Sequence, residues 1–497
     1  MQSRASGLLL HISSLPSKGG MGDFGAEAYA FADFLAGAGQ KYWQILPLSP
    51  VAGQGCYSPY FSSSAFAGNP LYINIDLLAR DGYLSPKDIK DSASSPESFV
   101  DFEAVAREKA EYFEIAFRRF LSKKEPLEFN AFCETENFWL EDFALFSALR
   151  EELPAPDWGG WPPELRDRRP KALAQARSRL KTAVLKHKFL QYLACRQWEE
   201  LKAYCNNKGI RILGDLPIYV SYDSADVWAH PDIFKLDGRK RPLAVSGVPP
   251  DYFSATGQLW NNPVYRWDAL ASRRYDWWVQ RLRRTFANYD ITRIDHFRGL
   301  VQYWEVPAGE STAMNGEWMD VPVYDFFDEL LSVFPDLPVI AEDLGIITPD
   351  VVEAKDHYGF AGMKVLLFAF GNDDPEHPYL PHTYEENCIA YTGTHDNNTF
   401  IGWFSEEASE EELQRLRKYI KCDGDGRECL AALLRILQES PAGAVIVPVQ
   451  DLIGLGGEAR MNNPAHPVDN WRWRLLPGQL TTEHGRMLHD LARRYGR

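Results

Sequence analysis

The sequence predicts an α/β fold, a (β/α)8 TIM barrel that carries inserted, partly helical subdomains. Eight short apolar runs predict the strands, because each run is apolar on both faces for four to six residues, as in buried parallel strands. Segments with helical periodicity alternate with these runs, as a barrel requires. The runs span residues 7–14, 41–50, 210–217, 291–297, 337–345, 363–370, 388–396 and 442–451.

Helical spacing is clearest just before the third run. Leu190, Ala194, Trp198, Leu201 and Cys205 recur every three or four residues, and the sequence Asn-Asn-Lys-Gly then ends the predicted helix. Residues 409–419 and 427–438 have the same periodicity. These segments therefore fit the helices that connect successive barrel strands.

The spacing between the runs is uneven, which predicts insertions in one barrel that spans residues 1–497. We expect a mostly helical subdomain at about 51–205, substrate-covering loops at about 218–290 and a smaller insertion at 297–337. No C-terminal β-sandwich domain is expected.

Composition excludes several classes of function. The formal net charge of −16 argues against a nucleic-acid partner, since an acidic chain repels phosphate backbones. Seven widely spaced cysteines without a CxxC pair predict neither a disulfide framework nor a zinc site, and no HExxH motif is present. The apolar run near the N-terminus is too short for a signal peptide or a membrane span. We therefore expect a cytoplasmic protein without a metal, a cofactor or a membrane partner.

Carboxylates follow several of the predicted strands. Asp215 ends the third run, Asp295 the fourth, Glu342 and Asp343 the fifth, and Asp396 the seventh. Barrel active sites lie at the C-terminal ends of the strands, so these side chains should meet at one rim. Glycoside chemistry needs such a set, with one carboxylate that attacks the anomeric carbon and another that exchanges a proton.

Arg293 and Asp295 are two residues apart on the fourth run and should point to the same side of the strand. A guanidinium beside Asp295 would keep this carboxylate ionised, as a nucleophile requires. A structural ion pair at the rim is the alternative interpretation of this pair.

Longer segments resemble the amylomaltases of glycoside hydrolase family 77, within the α-amylase clan. The similar segments include RIDH at 293–296, AEDLG at 341–345, THDN at 394–397, GDLPIYV at 214–220, GVPPDYFSATGQLWNNPVY at 247–265, EARMN at 458–462 and NWRWRL at 470–475. Similar segments run from residue 4 to about 476. The resemblance implies a retaining 4-α-glucanotransferase.

The resemblance also implies roles for individual residues. Asp295 matches the nucleophile, Glu342 the general acid/base, and Asp396 a third carboxylate that binds the distorted sugar. The residues that match substrate-binding positions are Ser58, Tyr60, Asp215, Tyr252, Phe253, Trp260, Arg293, His296, His395 and Asn462.

The implied reaction transfers a segment of an α-1,4-glucan to the 4-hydroxyl of glucose, maltose or another α-1,4-glucan, through a covalent glycosyl-enzyme intermediate and without a cofactor. We expect a monomer. Two alternatives remain open: an α-glucan hydrolase on the same barrel and a non-catalytic glucan-binding protein. The aromatic loop at 247–265 favours transfer because it can exclude water.

Overall fold

The computed structural model describes residues 4–51, 57–90, 97–123, 126–250, 254–466 and 468–497. The strands in these ranges are numbered in chain order. They are β1 (Ala5–Leu9), β2 (Tyr42–Gln44), β3 (Arg211–Pro217), β4 (Ala244–Val248), β5 (Gln258–Pro263), β6 (Ile291–Asp295), β7 (Gln302–Pro307), β8 (Glu317–Asp320), β9 (Val339–Ala341), β10 (Gly362–Val365), β11 (Cys388–Tyr391) and β12 (Ala444–Pro448).

The α-helices are numbered in the same way. They are α1 (Ala26–Gly37), α2 (Ile75–Arg80), α3 (Phe102–Ser122), α4 (Leu127–Thr135), α5 (Asn137–Glu152), α6 (Pro163–Arg166), α7 (Pro170–Arg179), α8 (Lys181–Asn207), α9 (Ala225–Ala229), α10 (Trp267–Ser272), α11 (Asp276–Asn288), α12 (Val323–Val333), α13 (Pro349–His357), α14 (Phe400–Gly402), α15 (Glu410–Ile420), α16 (Gly426–Glu439), α17 (Val449–Leu452) and α18 (Thr482–Tyr495).

Eight parallel strands form the central sheet in the order β10-β11-β12-β1-β2-β3-β6-β9. A parallel bridge between Ile340 and Ala361 joins the two ends of this order, and the Ala341 amide donates to the Ala361 carbonyl at 2.8 Å. The sheet is therefore a barrel. All eight strands fall within or beside the eight apolar runs, so the predicted fold class is confirmed.

The barrel strands are buried on both faces, which explains their continuous apolar sequence. Every residue of β1, β11 and β12 is buried, and the same core includes the inner faces of helices α1 and α16. The predicted helical runs at 190–205, 409–419 and 427–438 correspond to α8, α15 and α16, with Ser409 as the N-cap of α15. Burial of apolar side chains against the strands thus fixes the helices that the periodicity predicts.

The chain between β2 and β3 contains helices α2 to α8, whose apolar faces pack into two further clusters of buried residues. A second, antiparallel sheet was not predicted. Its order is β5-β4-β7-β8, so strands from before and after β6 pair with each other. This sheet lies beside the strand that ends at Asp295 and therefore helps to shape that part of the rim.

Gly214 lets the ring of Tyr289 pack against β3 immediately before Asp215. A Cβ atom on Gly214 would lie 2.1–2.4 Å from ring atoms of Tyr289, far inside van der Waals contact. The Tyr289 hydroxyl in turn accepts a hydrogen bond from the Leu48 amide at 3.3 Å. Glycine is thus required here for close packing behind the rim.

Among the described helices, none is long and apolar enough to cross a membrane. The described cysteines, which are Cys133, Cys195, Cys205, Cys388, Cys422 and Cys429, are all free thiols. No group of three or more His, Cys, Asp or Glu side chains that could hold a metal ion occurs in the described ranges. Cys56 lies outside them.

A buried ion pair anchors the first inserted helices to the barrel. Lys109 Nζ lies 3.2 Å from Asp23 Oδ2 and donates to the carbonyls of Leu71 and Ile73 at 2.7 and 2.8 Å. Asp23 Oδ1 accepts from Asn74 Nδ2 at 2.9 Å. The side chains of Lys109 and Asp23 are only 5% and 6% exposed.

We predict that K109M lowers the free energy of unfolding by about 3–5 kcal/mol, since Asp23 would stay buried without its charge partner. The control is R118A, because Arg118 is 73% exposed and its pair with Glu114 should contribute less than about 1 kcal/mol. Urea denaturation of both variants measures the difference. Equal effects of the two substitutions would contradict the proposed anchor.

Candidate active site

The polar rim of the barrel is built around Arg293, which lies on β6. Its Nη1 donates to both carboxylate oxygens of Asp215 on β3, at 2.9 and 2.7 Å, and its Nη2 lies 2.8 Å from Asp295 Oδ1. Its Nε donates to the Met363 sulfur on β10 at 3.4 Å. One guanidinium therefore connects three barrel strands and holds two carboxylates in fixed positions.

Burial of Arg293 opposes its charge, but Asp215 and Asp295 together raise the pKa of its guanidinium well above the ordinary value. Burial also raises the pKa of the Asp215 carboxyl, and the positive charge of Arg293 opposes this change. Paired in this way, Arg293 stays protonated and presents a positive charge to Asp295.

Tyr60 links Asp215 to His395 across the rim. Its hydroxyl donates to Asp215 Oδ2 at 2.6 Å and lies 2.8 Å from His395 Nε2. Since the hydroxyl has one proton and donates it to the carboxylate, it accepts from Nε2–H of the histidine. The Tyr60 and His395 rings are stacked with centroids 5.3 Å apart, and burial raises the pKa of Tyr60 well above its ordinary value.

Asp396 follows His395 after β11. Its Oδ2 lies 3.3 Å from His395 Nε2, and its Oδ1 accepts from Asn462 Nδ2 at 2.6 Å. The backbone N–H of Asn462 donates to the His395 carbonyl at 3.0 Å. Residues from β3, from β6, from the segment after β11 and from the segment after β12 are thus connected by one chain of hydrogen bonds and ion pairs.

Glu342 directly follows β9, the strand next to β6. Its amide donates to the Ile294 carbonyl at 3.0 Å, while its carboxylate accepts from the amides of His296 at 2.8 Å and Leu344 at 3.0 Å. Burial raises the pKa of Glu342 to about 7, despite the opposing charge of Arg293. The negative charge of Asp295 acts in the same direction as burial. Glu342 can therefore carry a proton near neutral pH while Asp295 is paired with a cation.

His296 follows Asp295 in a left-handed conformation, with φ of 53°. A residue other than glycine adopts this conformation at a cost of order 1–3 kcal/mol, and such strain is often found at functional sites. Here the turn directs the His296 amide toward Glu342. The His296 ring is in edge contact with Trp260 of β5, at 4.7 Å between centroids, and burial lowers its pKa to about 4.

Exposure separates the carboxylates into two groups. The Asp295 and Asp396 side chains are 30% and 41% exposed, whereas Asp215 is 0% exposed. The first two can contact a ligand, while Asp215 contacts Arg293 and Tyr60. The neighbouring acids Glu342 and Asp343 diverge, because the Asp343 carboxylate accepts from Lys355 Nζ at 3.0 Å and from the Met363 amide at 2.7 Å.

Most of the site residues predicted from the sequence meet at this rim. Ser58 is buried and contacts it indirectly, because its Oγ accepts from the Tyr60 amide at 3.3 Å. Tyr252 and Phe253 lie outside the described residues. The residues that the structure brings together are Tyr60, Asp215, Trp260, Arg293, Asp295, His296, Glu342, His395, Asp396 and Asn462.

Two residues at the rim were not singled out from the sequence. Arg460 donates through Nη2 to the Asp396 carbonyl at 3.0 Å. The Trp471 ring lies 5.6 Å from Tyr60 and 5.8 Å from His395, between centroids. Both belong to segments that carry the family resemblance, EARMN and NWRWRL, so the segments were recognised although these residues were not.

Comparison with known proteins decides the family. The family model described as 4-alpha-glucanotransferase, glycoside hydrolase family 77, matches residues 10–480. The chain belongs to this family. The resemblance deduced from the rim segments is thereby confirmed, and the match covers the barrel strands from β2 to β12 and the chain between them.

Individual relatives agree with the family model. The chain is 47% identical to the 4-alpha-glucanotransferase of Thermus thermophilus, over 98% of each protein. It is 46% identical to that of Synechocystis, over 100% of this chain and 99% of the relative. The solved structure of an amylomaltase from Streptococcus agalactiae in complex with acarbose superposes with a TM-score of 0.95, at 39% identity and over 99% of each chain. The fold of this chain is thus shared along nearly its whole length with an amylomaltase of known structure.

The raised pKa of Glu342 predicts a pH-dependent stability. The folded pKa of about 7 exceeds the ordinary value of 4.5, so the folded state binds this proton more tightly than the unfolded state. The resulting stabilisation is fully present below about pH 4.5 and is lost as the pH rises through about 7. We predict that the stability of E342Q relative to the wild type increases by about 2–3 kcal/mol between pH 5 and pH 8.

Denaturant titrations of both proteins at each pH measure this difference. E386Q, which changes an exposed glutamate, is the control and should show no such trend. A constant difference between E342Q and the wild type from pH 5 to pH 8 would contradict the burial of a protonated Glu342.

Proposed function

We propose that this 4-α-glucanotransferase transfers a segment of an α-1,4-glucan to the 4-hydroxyl of glucose, maltose or another α-1,4-glucan by a retaining double displacement. The observation that carries the assignment of residues is the contrast between two neighbouring carboxyl groups. Asp295 is paired with Arg293 at 2.8 Å, whereas burial raises the pKa of Glu342 to about 7. Retaining glycoside chemistry requires one ionised and one protonated carboxyl group.

In the first displacement, Asp295 attacks the anomeric carbon and forms an ester bond with it. The glycosidic C–O bond breaks at the same centre, and Glu342 gives its proton to the leaving oxygen. Because Arg293 is already paired with Asp215, it can stabilise the Asp295 carboxylate without changing its own position. The leaving part of the glucan then departs with a free 4-hydroxyl group.

In the second displacement, the 4-hydroxyl of an acceptor sugar attacks the anomeric carbon of the ester. Glu342, now ionised, takes the proton of this hydroxyl, and Asp295 leaves as a carboxylate. Asp396 binds hydroxyl groups of the reacting sugar, and Asn462 together with His395 orients it. The two inversions at the anomeric carbon restore the α configuration.

The aromatic segment 247–265 and residues 218–290 around it cover the acceptor side in this proposal. Trp260 supports the assignment because it contacts His296, which directly follows the nucleophile. An aromatic surface here binds the apolar face of a glucose ring and excludes water, which competes with the acceptor. Asp215 and Tyr60 act by holding Arg293 and His395, since both lie beneath the exposed carboxylates.

The remaining parts of the proposal are a cytoplasmic location, a monomeric state and action on maltooligosaccharides without a cofactor. The Streptococcus agalactiae relative was solved in complex with acarbose, which supports an α-glucan as ligand. The three carboxylates alone are equally suited to an α-glucan hydrolase, whereas the aromatic segment 247–265 favours transfer. The product distribution from one pure substrate separates the two reactions.

We predict that pure maltotriose is converted to glucose and a ladder of longer α-1,4-glucans. Transfer conserves the number of glycosidic bonds, so the concentration of reducing ends should stay constant while chromatography shows the ladder. The D295N variant is the control for background activity. Rising reducing ends with glucose and maltose as the only products would instead identify a hydrolase, and binding without turnover would identify a glucan-binding protein.

The two carboxylates can also be distinguished by the leaving group of the donor. D295N should abolish reaction with every donor. E342Q should lower transfer from maltotriose by about 10²–10⁴-fold, the usual contribution of a general acid. With α-maltosyl fluoride as donor, E342Q should still release fluoride in the first turnover, because fluoride leaves without a proton.

A fluoride electrode measures this burst, and mass spectrometry of the intact protein should show a maltosyl ester that accumulates because the base of the second step is missing. The assignment of the two residues would be wrong if D295N formed the ester, or if E342Q lost the burst with the fluoride and the transfer from maltotriose to the same extent.

A further inference from the structure

His395 and Asp396 lie on the loop 392–400, which the segment 449–462 holds at three points. At the base of the loop, Asp451 accepts a hydrogen bond from Thr392 Oγ1 through Oδ2 and one from the Phe400 amide through Oδ1, the latter at 2.7 Å. Asp451 is 1% exposed. One buried carboxylate therefore fixes both ends of the loop.

Arg460 holds the middle of the same loop. Its Nη2 donates to the Asp396 carbonyl at 3.0 Å, and its Nε donates to the Asn462 carbonyl at 2.8 Å. Its Nη1 lies 2.9 Å from Glu407 Oε1. The same Glu407 oxygen accepts from Asn398 Nδ2 at 3.0 Å. The three nitrogens of one planar guanidinium thus have three different partners.

Arg460 contacts the backbone of Asp396 and the backbone of Asn462, the residue that binds the Asp396 side chain. Asn462, whose carbonyl Arg460 binds, donates its side-chain amide to Asp396 Oδ1 at 2.6 Å. The Asp396 side chain is 41% exposed, so packing around it does little to hold it. Its position therefore depends on these hydrogen bonds. Fixing the backbone of Asp396 and Asn462 together therefore fixes the direction of the carboxylate.

We propose that Arg460 is a positioning residue for the transfer reaction, which holds Asp396 in register with the reacting sugar through the carbonyl oxygens of Asp396 and Asn462. This inference rests on the proposed role of Asp396 as the third carboxylate. Arg460 acts through its geometry rather than its charge. A lysine would retain the pair with Glu407 but has no planar fork with which to reach both carbonyls.

The expected signature is a loss of kcat with little change of KM. Asp396 binds hydroxyl groups more strongly in the distorted transition state than in the ground state, so its displacement lowers the rate more than the affinity. A displacement of about 1 Å at a reacting centre can cost about 10²-fold in rate. We therefore expect R460A and R460K each to lower kcat for maltotriose by about 10–100-fold, with KM within about threefold of the wild type.

The matched control is R415A. Arg415 also donates to a backbone carbonyl, that of Phe370 at 2.7 Å, and lies 3.3 Å from a carboxylate, that of Asp373. It lies on α15, and its side chain is 25% exposed, compared with 20% for Arg460. R415A should keep kcat within about twofold of the wild type.

Two variants of Glu407 test the partner of Arg460. E407A should lower kcat, whereas E407Q should keep most of the wild-type rate, since the amide oxygen can still accept from Arg460.

A double-mutant cycle tests the route of the effect. If Arg460 acts through Asp396, the double variant D396A/R460A should be no slower than D396A alone. Thermal melting of all variants identifies any global loss of structure, and R460K completes the same cycle if R460A does not fold.

The inference would be overturned by wild-type kcat in R460K, or by a double variant in which the two losses multiply. Both results are measured as the rate of maltotriose consumption, whichever products are formed. A wild type without that ladder rejects the proposed function itself, whereas a normal ladder with a normal R460K rejects only the positioning role.

Discussion

The buried guanidinium of Arg293 is the interaction on which the rest of the site depends. It spans β3, β6 and β10 and pairs with Asp215 below the rim and with Asp295 at the rim. A buried charge of this kind is tolerated only when its partners are in place, so the barrel must close correctly before the site can form. The same charge acts differently on the two reacting carboxyl groups. It pairs directly with Asp295, whereas in Glu342 burial outweighs its effect and keeps the pKa near 7.

The sequence predicts the barrel well because each strand is buried on both faces and is therefore continuously apolar. Asp295, Glu342 and Asp396 could be picked out as candidates for a related reason, since each lies at the end of a strand or shortly after it. Their separate roles were implied by the resemblance to glycoside hydrolase family 77. The antiparallel sheet was less accessible. Gln258–Pro263 contains glutamine, two asparagines and proline, and its pairing with Ala244–Val248 and onward to Gln302–Pro307 depends on partners far away in sequence. Local periodicity does not contain that information.

The site residues that were not predicted share a physical feature. Arg460 and Trp471 act on the backbone or the rings of other site residues, and their position is fixed only when the segments after β11 and β12 meet. Spacing along the chain therefore does not reveal them. Strand-end position alone does not separate Glu342 from Asp343, because both acids follow the same strand. The resemblance selects Glu342, and the contacts of Lys355 and Met363 with Asp343 show that Asp343 is engaged in the barrel wall.

Asp295, Glu342 and Asp396 are proposed to act on one glucose unit. A crystal structure of the D295N variant with maltotetraose bound would show whether they do. We expect a single sugar ring between residues 295 and 342, with these two side chains about 5–5.5 Å apart and Asp396 in hydrogen-bond contact with hydroxyl groups of the same ring. A glucan bound elsewhere, or side chains about 9 Å apart with a water between them and the sugar, would contradict it.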